Sequence, residues 1–273
     1  MMATAGAHAF CDGDEKKKFW QKEKKHGPGD TIGQGVRMEV WKARHGNVTA
    51  LDMEDGYEPY HLLLTRLRST ECEPAEFVHL IDALSHMLLA YAVGTLPTEE
   101  VEVQTHSNVA YSGIRHERPL CCVSIMPAGD CMLKCMRDLV PNVQYGKLLL
   151  QRDPANLDGP PAAVYSKLPK GIESQQVVVV DPMVATGSTA VAAIHLLKKA
   201  GVPEERITFV NLVAAPEGIE RLSSAFPDMQ IITAALDAGL SNDHFIVPGL
   251  GNFGDRYYGH NIYPYHDKGV GGH

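Results

Sequence analysis

The hydrophobic and polar positions after residue 120 alternate between short apolar runs and amphipathic stretches. The apolar runs predict five strands, at residues 120–126, 145–150, 177–180, 207–213 and 229–233. The amphipathic stretches predict helices at residues 131–140, 190–200 and 216–226. Strands separated by helices of this length pair in parallel through right-handed crossovers. The pattern therefore predicts an α/β fold with a doubly wound, mainly parallel five-stranded sheet, and such sheets bind ligands at the carboxyl ends of their strands.

The chain before this sheet is predicted to contain an extension and one long helix. We expect residues 1–50 to form a flexible or irregular N-terminal extension and residues 51–273 to form the folded domain. The lysine-rich run at residues 16–25 favours a solvated tail, although such a run also suits RNA or an import receptor. Apolar side chains with helical spacing predict a helix from Pro74 to Tyr91 that serves the core or a subunit contact.

Two later segments interrupt the alternation of strands and helices. Residues 153–171 form a proline- and glycine-rich connection between the second and third predicted strands. A connection of this length in a compact domain is usually a lid, an arm or a disordered segment. Residues 236–258 follow the last predicted strand and carry a second glycine-rich motif.

Composition and charge narrow the classes of partner. Lysine and arginine number 25 against 33 aspartates and glutamates, which gives a formal net charge of −8. That balance argues against a general binder of nucleic acid or of membrane surfaces. No run approaches 18 apolar residues, and the N-terminus lacks the apolar core of a secretory signal. The six cysteines form no Cys-x-x-Cys pair, so we expect reduced thiols and a cytoplasmic location.

The stretch from Val177 to Thr189 carries the first candidate chemistry. Four valines predict a strand buried on both faces, and Asp181 stands where that strand ends. The next turn, which includes Thr186 and Gly187, opens the following helix. Its backbone N–H groups and hydroxyls can wrap a phosphate, and Asp181 can accept hydrogen bonds from sugar hydroxyls. An ordinary strand-to-helix connection with a Ser/Thr cap is the alternative.

The second motif, at residues 245–256, is dense in glycine. Gly249, Gly251 and Gly254 match the dinucleotide pattern G-x-G-x-x-G, but that pattern requires a βαβ unit with an acid about 20 residues further on. Only 19 residues follow Gly254, so we reject this interpretation. The glycines instead favour main-chain recognition of a flat ligand such as a pyrimidine, and a turn-rich tail is the alternative.

Together these motifs resemble those of uracil phosphoribosyltransferases, which have the type I phosphoribosyltransferase fold. Residues 181–189 (DPMVATGST) resemble the family's DPMLATGGS, residues 212–218 its LVAAPEG, and residues 246–256 its IVPGLGDAGDR. Arg152-Asp153 and the Lys-Leu-Pro at 167–169 are similar to its loop motifs. The similarity runs from near His61 to Gly259.

The resemblance implies conversion of uracil and phosphoribosyl pyrophosphate to UMP and pyrophosphate, in a homodimer or homotetramer. It implies that Asp181 is the catalytic residue, that residues 153–171 close the site, and that the C-terminal segment is a base-binding hood. The implied phosphoribosyl-pyrophosphate contacts are Arg152, Asp181, Pro182, Met183, Val184, Ala185, Thr186, Gly187, Ser188, Thr189 and Asn252. The implied uracil contacts are Ile246, Gly251, Asn252 and Phe253. Mg²⁺ would be held mainly through the substrate, with no dedicated metal ligands.

The chain departs from the family pattern at four positions. Pro127 replaces the arginine of ILRAG, Asn252 replaces an aspartate, Phe245 replaces a tyrosine, and Ser188 replaces a glycine. The first two changes motivate a different hypothesis, a catalytically weak or inactive homologue that binds UMP, uracil or phosphoribosyl pyrophosphate as a regulatory or structural subunit. A phosphoribosyltransferase with another base preference is a third hypothesis. The retained motifs favour the active enzyme.

Overall fold

The computed structural model describes residues 46–53, 58–151 and 161–259 of the chain. Its strands are β1 (Val48–Ala50), β2 (Thr98–Gln104), β3 (Ala110–His116), β4 (Leu120–Met126), β5 (Gln144–Gln151), β6 (Ala162–Lys167), β7 (Gln176–Val180), β8 (Met183–Val184), β9 (Ile207–Ala214), β10 (Gln230–Leu236), β11 (Gly239–Leu240) and β12 (Ile246–Val247). Its α-helices are α1 (Glu58–Arg68), α2 (Pro74–Gly94), α3 (Asp130–Leu139), α4 (Ser188–Lys199), α5 (Pro216–Ala225) and α6 (Phe253–Tyr258). Short 3₁₀ turns occur at residues 51–53, 172–174 and 204–206.

The centre of the fold is an eight-stranded sheet. Its strands lie in the order β1-β10-β9-β7-β4-β5-β6, and β8 pairs with β9 beside this path. Every pair is parallel except β5 with β6. The five predicted strands are the five adjacent strands at its centre, so the predicted doubly wound, mainly parallel α/β fold is confirmed. The sheet is larger than predicted because β1, β6 and β8 join it.

The edge of the sheet changes the predicted start of the folded domain. Residues 48–50 pair with residues 231–233 of β10, and the side chain of Asn47 bonds the carbonyls of Phe226 and Met229. The sheet therefore begins inside the segment 1–50 that the sequence assigns to an irregular extension. Residues 1–45 of that segment lie outside the described residues.

The predicted long connection at residues 153–171 contains a strand. Residues 162–167 form β6 and pair antiparallel with β5, with a bulge between Leu149 and Leu150. The part of the connection before residue 161 lies outside the described residues. Its described part is thus a hairpin strand at the edge of the sheet.

Helices cover both faces of the sheet. The even-numbered residues of the inner strands, such as Cys122, Val178 and Val180, pack in one cluster with the buried sides of α1, α2 and α3. The buried residues of α4 and α5 are outside that cluster and cover the opposite face. All residues of β7 and β9 are buried, which explains their mainly apolar sequences.

Helix α2 is a core helix, as its sequence predicts. The predicted apolar face is buried at Phe77, Leu80, Ile81, Leu84 and Leu88. By length and composition alone, this 21-residue helix could cross a membrane. Because its apolar face packs against α3, β9 and β10, the fold already accounts for that composition. A separate two-stranded ribbon of β2 and β3 follows it.

Candidate functional site

Asp181 stands at the carboxyl end of β7, in the middle of the sheet. Its backbone N–H donates to the carbonyl of Val210 at 3.2 Å, so the residue still follows the neighbouring strand β9. Burial raises the pKa of its carboxyl group from 3.8 to about 7, and a hydrogen bond from the Met183 N–H offsets this only in part. A carboxylate that is desolvated in this way favours partners that donate hydrogen bonds or carry positive charge.

The residues after Asp181 are held by hydrogen bonds to β9. The Pro182 carbonyl accepts from the N–H groups of Leu212 and Val213 at 3.1 and 3.0 Å. Met183 and Val184 then form β8, and the Val184 carbonyl accepts from Ala215 N–H at 2.8 Å. The start of the next turn is therefore fixed by backbone bonds before any ligand arrives.

The turn at residues 185–189 leads directly into helix α4. Gly187 has a φ of 75°, a left-handed conformation that side chains rarely adopt. A Cβ atom there would lie 2.6 Å from the Gly218 carbonyl oxygen, since the turn packs against the start of α5. Thr186 and Ser188 face one another, with hydroxyl oxygens 3.1 Å apart. The turn thus presents two hydroxyls beside the N-terminus of a helix, where anions bind readily.

An open cavity of about 1100 Å³ adjoins this turn. Thr186 and Ser188 line one end, and the outer side of α4 continues the wall as far as Lys199. Lys199, Arg221, His195 and His244 supply its basic lining, and none of the lining residues that the structure describes is acidic. Thr186 and Ser188 therefore line a cavity whose described lining suits an anionic ligand.

The turn at residues 127–130, after β4, lies against the end of β7. A side chain at Gly129 would collide with the Val180 carbonyl oxygen, which immediately precedes Asp181. At the end of this turn, the Asp130 carboxylate accepts from the Ser124 hydroxyl at 2.6 Å and from the Lys147 ammonium at 2.7 Å. Two of the turns that resemble family motifs are thus brought together at one edge of the sheet.

The glycine-rich turn at residues 246–252 follows the small sheet of β11 and β12. Ile246 is buried, while Gly251 and Asn252 are exposed, so main-chain groups of the turn face solvent. Asn252 is the N-cap of α6, and its side-chain oxygen accepts from the Asp255 N–H at 3.4 Å. Asn252 therefore stabilises the start of α6, whether or not it also contacts a substrate.

Helix α6 connects this turn to the rest of the site. The ring of Phe253 is buried against Phe77 and stacks on Tyr257, with centroid distances of 5.9 and 5.4 Å. Any contact of Phe253 with a base would therefore use its main chain. The Tyr258 hydroxyl donates to the Pro127 carbonyl at 2.7 Å, which joins the C-terminal segment to the 127–130 turn.

The structure adds residues that the sequence did not single out. Arg68 and Asp237 form an ion pair that bonds the backbone of Gly249. Gly218 leaves space for the 185–189 turn, because a side chain there would collide with Ala185. In the sequence, only the LVAAPEG motif that contains Gly218 indicates this residue. Of the predicted contacts, Arg152 lies outside the described residues.

No group of three or more His, Cys, Asp or Glu side chains that could hold a metal ion occurs among residues 46–53, 58–151 and 161–259. Asp181 is the one carboxylate among the predicted substrate contacts, so it could supply at most one protein side chain to an ion. A Mg²⁺ ion at this site would therefore take its oxygen ligands chiefly from a bound substrate.

Comparisons with known proteins agree with these motifs. The family model for uracil phosphoribosyltransferase matches residues 59–260. A uracil phosphoribosyltransferase of Dictyoglomus turgidum is 43% identical over 196 residues, which cover 72% of this chain and 93% of that protein. One from Saccharomyces cerevisiae is 40% identical over 196 residues, which cover 72% of this chain and 90% of that protein.

A solved structure has the same architecture. The AQ2163 protein of Aquifex aeolicus superposes with a TM-score of 0.67 at 28% sequence identity, over 79% of this chain and 100% of that chain. The family match at residues 59–260 includes the 185–189 turn, the 246–252 turn and most of the sheet. The chain belongs to the uracil phosphoribosyltransferase family.

Proposed function

We propose that the protein transfers the phosphoribosyl group of phosphoribosyl pyrophosphate to uracil and releases UMP and pyrophosphate. One observation carries the proposal: the strand end at Asp181 lies against the 127–130 turn and leads into the 185–189 turn, and residues 181–189 resemble the family's phosphoribosyl-pyrophosphate loop. The family match over residues 59–260 supports uracil as the base.

Each part of the site has a proposed role. The 185–189 turn binds the 5′-phosphate through its N–H groups and the Thr186 and Ser188 hydroxyls, and residues 182–184 set its position. Asp181 accepts hydrogen bonds from the ribose hydroxyls. Main-chain groups from Ile246 to Phe253 bind the uracil edge, and Arg152 binds the pyrophosphate. The bonds of Pro182 and Val184 to β9 support these roles because they fix the turn in advance.

In the proposed reaction, the bond from the anomeric carbon to the pyrophosphate oxygen breaks as the bond to the uracil ring nitrogen forms. That nitrogen gives its proton to the departing pyrophosphate or to water, and the anomeric carbon carries positive charge in the transition state. The ionised Asp181 carboxylate, close to this charge, would stabilise it in a site with little water. Its raised pKa, about 7, predicts that this contribution grows as the pH rises through neutrality.

We further propose that Mg²⁺ assists the reaction through the substrate. When bound to the pyrophosphate, Mg²⁺ neutralises charge on the leaving group. Asn252 replaces the carboxylate that the family pattern has at this place, so Asp181 is the remaining acid among the proposed contacts. Among the described residues the Asp181 carboxylate accepts one hydrogen bond, from the Met183 N–H, which leaves it able to contact such an ion.

We also propose that the protein works in the cytoplasm as a homodimer or homotetramer, with the domain that starts at β1 (Val48–Ala50) as its catalytic domain. The ribbon of β2 and β3 supports a subunit contact because large apolar side chains are exposed on it. Val103, Tyr111 and Ile114 are 46%, 60% and 70% exposed. Light scattering after size-exclusion chromatography tests this assembly, and a monomer at micromolar concentration would contradict it.

The central experiment mixes the protein with labelled uracil, phosphoribosyl pyrophosphate and Mg²⁺ and measures UMP. We expect UMP to form from uracil, and to form faster than nucleotides from orotate or hypoxanthine. Asp181→Asn should lower the rate strongly, while Asp228→Asn, an exposed acid far along the chain, should leave it unchanged. If no UMP forms at high protein concentration while calorimetry still detects uracil or UMP binding, the protein is a binding homologue instead.

A further inference from the structure

The end of helix α1 and the end of β10 meet in an ion pair behind the 246–252 turn. The two terminal nitrogens of the Arg68 guanidinium, Nη1 and Nη2, donate to the Asp237 carboxylate, at 2.9 and 2.6 Å. The side chains are 22% and 3% exposed, so the pair is far better shielded from water than a surface pair. In such surroundings a bidentate ion pair restrains both side chains to one geometry.

This ion pair holds both polar groups of the Gly249 backbone. The Asp237 carboxylate accepts from the Gly249 N–H at 2.7 Å, and the Arg68 guanidinium donates to the Gly249 carbonyl at 3.0 Å. Gly249 has a φ of 62°, and a side chain there would collide with the Ile246 carbonyl. The backbone at Gly249 is therefore fixed by two charged groups in a conformation that glycine adopts readily and residues with a side chain rarely do.

A second arginine fixes the following residue to the same helix. The Arg256 guanidinium donates to the Leu250 carbonyl at 2.7 Å and to the Leu67 carbonyl at 3.0 Å. It also lies over the Phe77 ring, 4.0 Å from the ring centroid. The carboxyl end of α1 thus anchors two consecutive residues of the turn.

We infer that Arg68 and Asp237 are positioning residues for the base: their ion pair sets the main-chain geometry of the 246–252 turn and thereby the affinity for uracil. The inference rests on the proposed function of that turn. Recognition by main-chain groups leaves no side chain that could readjust to the ligand, so the angle of the Gly249 peptide decides whether the groups at residues 250–252 meet the base edge. The phosphate-binding turn is fixed independently, through β9.

The test measures the KM for each substrate, with the other substrate at saturation, in the wild type, Asp237→Asn and Arg68→Lys. Asp237→Asn should raise the KM for uracil by about tenfold or more, because small misplacements of a binding group cost that much. The KM for phosphoribosyl pyrophosphate should change by less than about twofold. Arg68→Lys keeps the charge but loses the bidentate geometry of the guanidinium, so we expect a smaller rise in the KM for uracil.

The chain offers a matched control in the exposed ion pair of Arg115 and Glu99, at 2.8 Å on the β2–β3 ribbon. Arg115→Lys and Glu99→Gln should leave both KM values unchanged. Hydrogen–deuterium exchange of residues 246–252 gives a readout that needs no activity. In the wild type the Gly249 amide, which donates to Asp237, should be protected, and Asp237→Asn should speed its exchange more than exchange in β7 or β9. A general loss of folding would speed exchange in all of these segments.

The outcomes separate the inference from the proposed function. Equal rises in both KM values, or unchanged exchange at residues 246–252 in Asp237→Asn, would overturn the inference. If the wild type forms no UMP, the proposed function fails. Calorimetry then measures the binding of uracil and UMP to the wild type and the same variants, and this binding decides the inference. Weaker binding by Asp237→Asn with intact binding by the control variants upholds it. Equal binding, or no binding of either ligand by the wild type, overturns it.

Discussion

Replacement of Asp181 by asparagine should stabilise the protein while it impairs catalysis. The carboxyl group stands at the end of β7 among protein atoms, and burial raises its pKa from 3.8 to about 7. Asparagine has nearly the same shape but no charge to desolvate. The substitution therefore removes an energetic cost that the folded protein bears when Asp181 ionises.

The size of this cost follows from the difference in pKa between the unfolded and the folded chain. Between about pH 4 and pH 7 the folded protein keeps a proton that the unfolded chain releases, so the free energy of unfolding falls as the pH rises. At about 1.4 kcal/mol per pKa unit, the full loss approaches about 4 kcal/mol above pH 7. Part of the residue remains accessible to water, which makes this an upper value.

Denaturant unfolding at several pH values tests this reasoning. Asp181→Asn should match the wild type near pH 4 and exceed its free energy of unfolding at pH 8 by up to about 4 kcal/mol. Asp52 also has a pKa raised by burial to about 7, so only the difference between the two proteins is assigned to Asp181. Equal stability at pH 8, or a difference that does not depend on pH, would refute the argument.

Three further substitutions test other parts of the site. Gly187→Ala should lower the free energy of unfolding by about 1–3 kcal/mol and abolish most activity, because φ is 75° and the added methyl group would collide with Gly218. Near-normal stability and activity would show that the turn can relax. Pro127→Arg should lower the KM for phosphoribosyl pyrophosphate about tenfold, as expected for one charged hydrogen bond, and an unchanged KM would place the side chain out of reach of pyrophosphate. Asn252→Asp keeps the cap on α6 and adds a carboxylate, so half-maximal activity should need several times less Mg²⁺; an identical titration would remove residue 252 from the metal–substrate contacts.

The sequence predicts the centre of this fold well because the central strands are buried on both faces. The strands β4, β7 and β9 are mainly apolar, and the helices that follow the predicted strands begin and end within a few residues of their predicted bounds. The edges are different. All six residues of β6 are exposed, and β1 has only three residues, so neither has an apolar pattern that predicts a strand. Both depend on a neighbouring strand that supplies hydrogen bonds.

The candidate site divides in the same way. Local motifs identify the 185–189 and 246–252 turns, since each is a continuous stretch whose residue types reflect its backbone geometry. The Arg68–Asp237 pair joins residues 169 positions apart, and nothing near either residue indicates its partner. The contact of Gly129 with Val180 likewise exists only once β4 and β7 are paired. Contacts of this kind follow from the tertiary fold and are invisible to local patterns.

The hydrogen bonds of Pro182 and Val184 to β9 also bear on the thermodynamics of binding. Because the backbone that leads into the 185–189 turn is already ordered, a phosphate that docks there loses its own freedom but freezes little of the chain. Each hydrogen bond made to the phosphate then counts almost fully toward affinity. The turn should also keep the same shape whether the site is empty, holds substrate or holds product, so rate-limiting rearrangements during turnover belong to other segments.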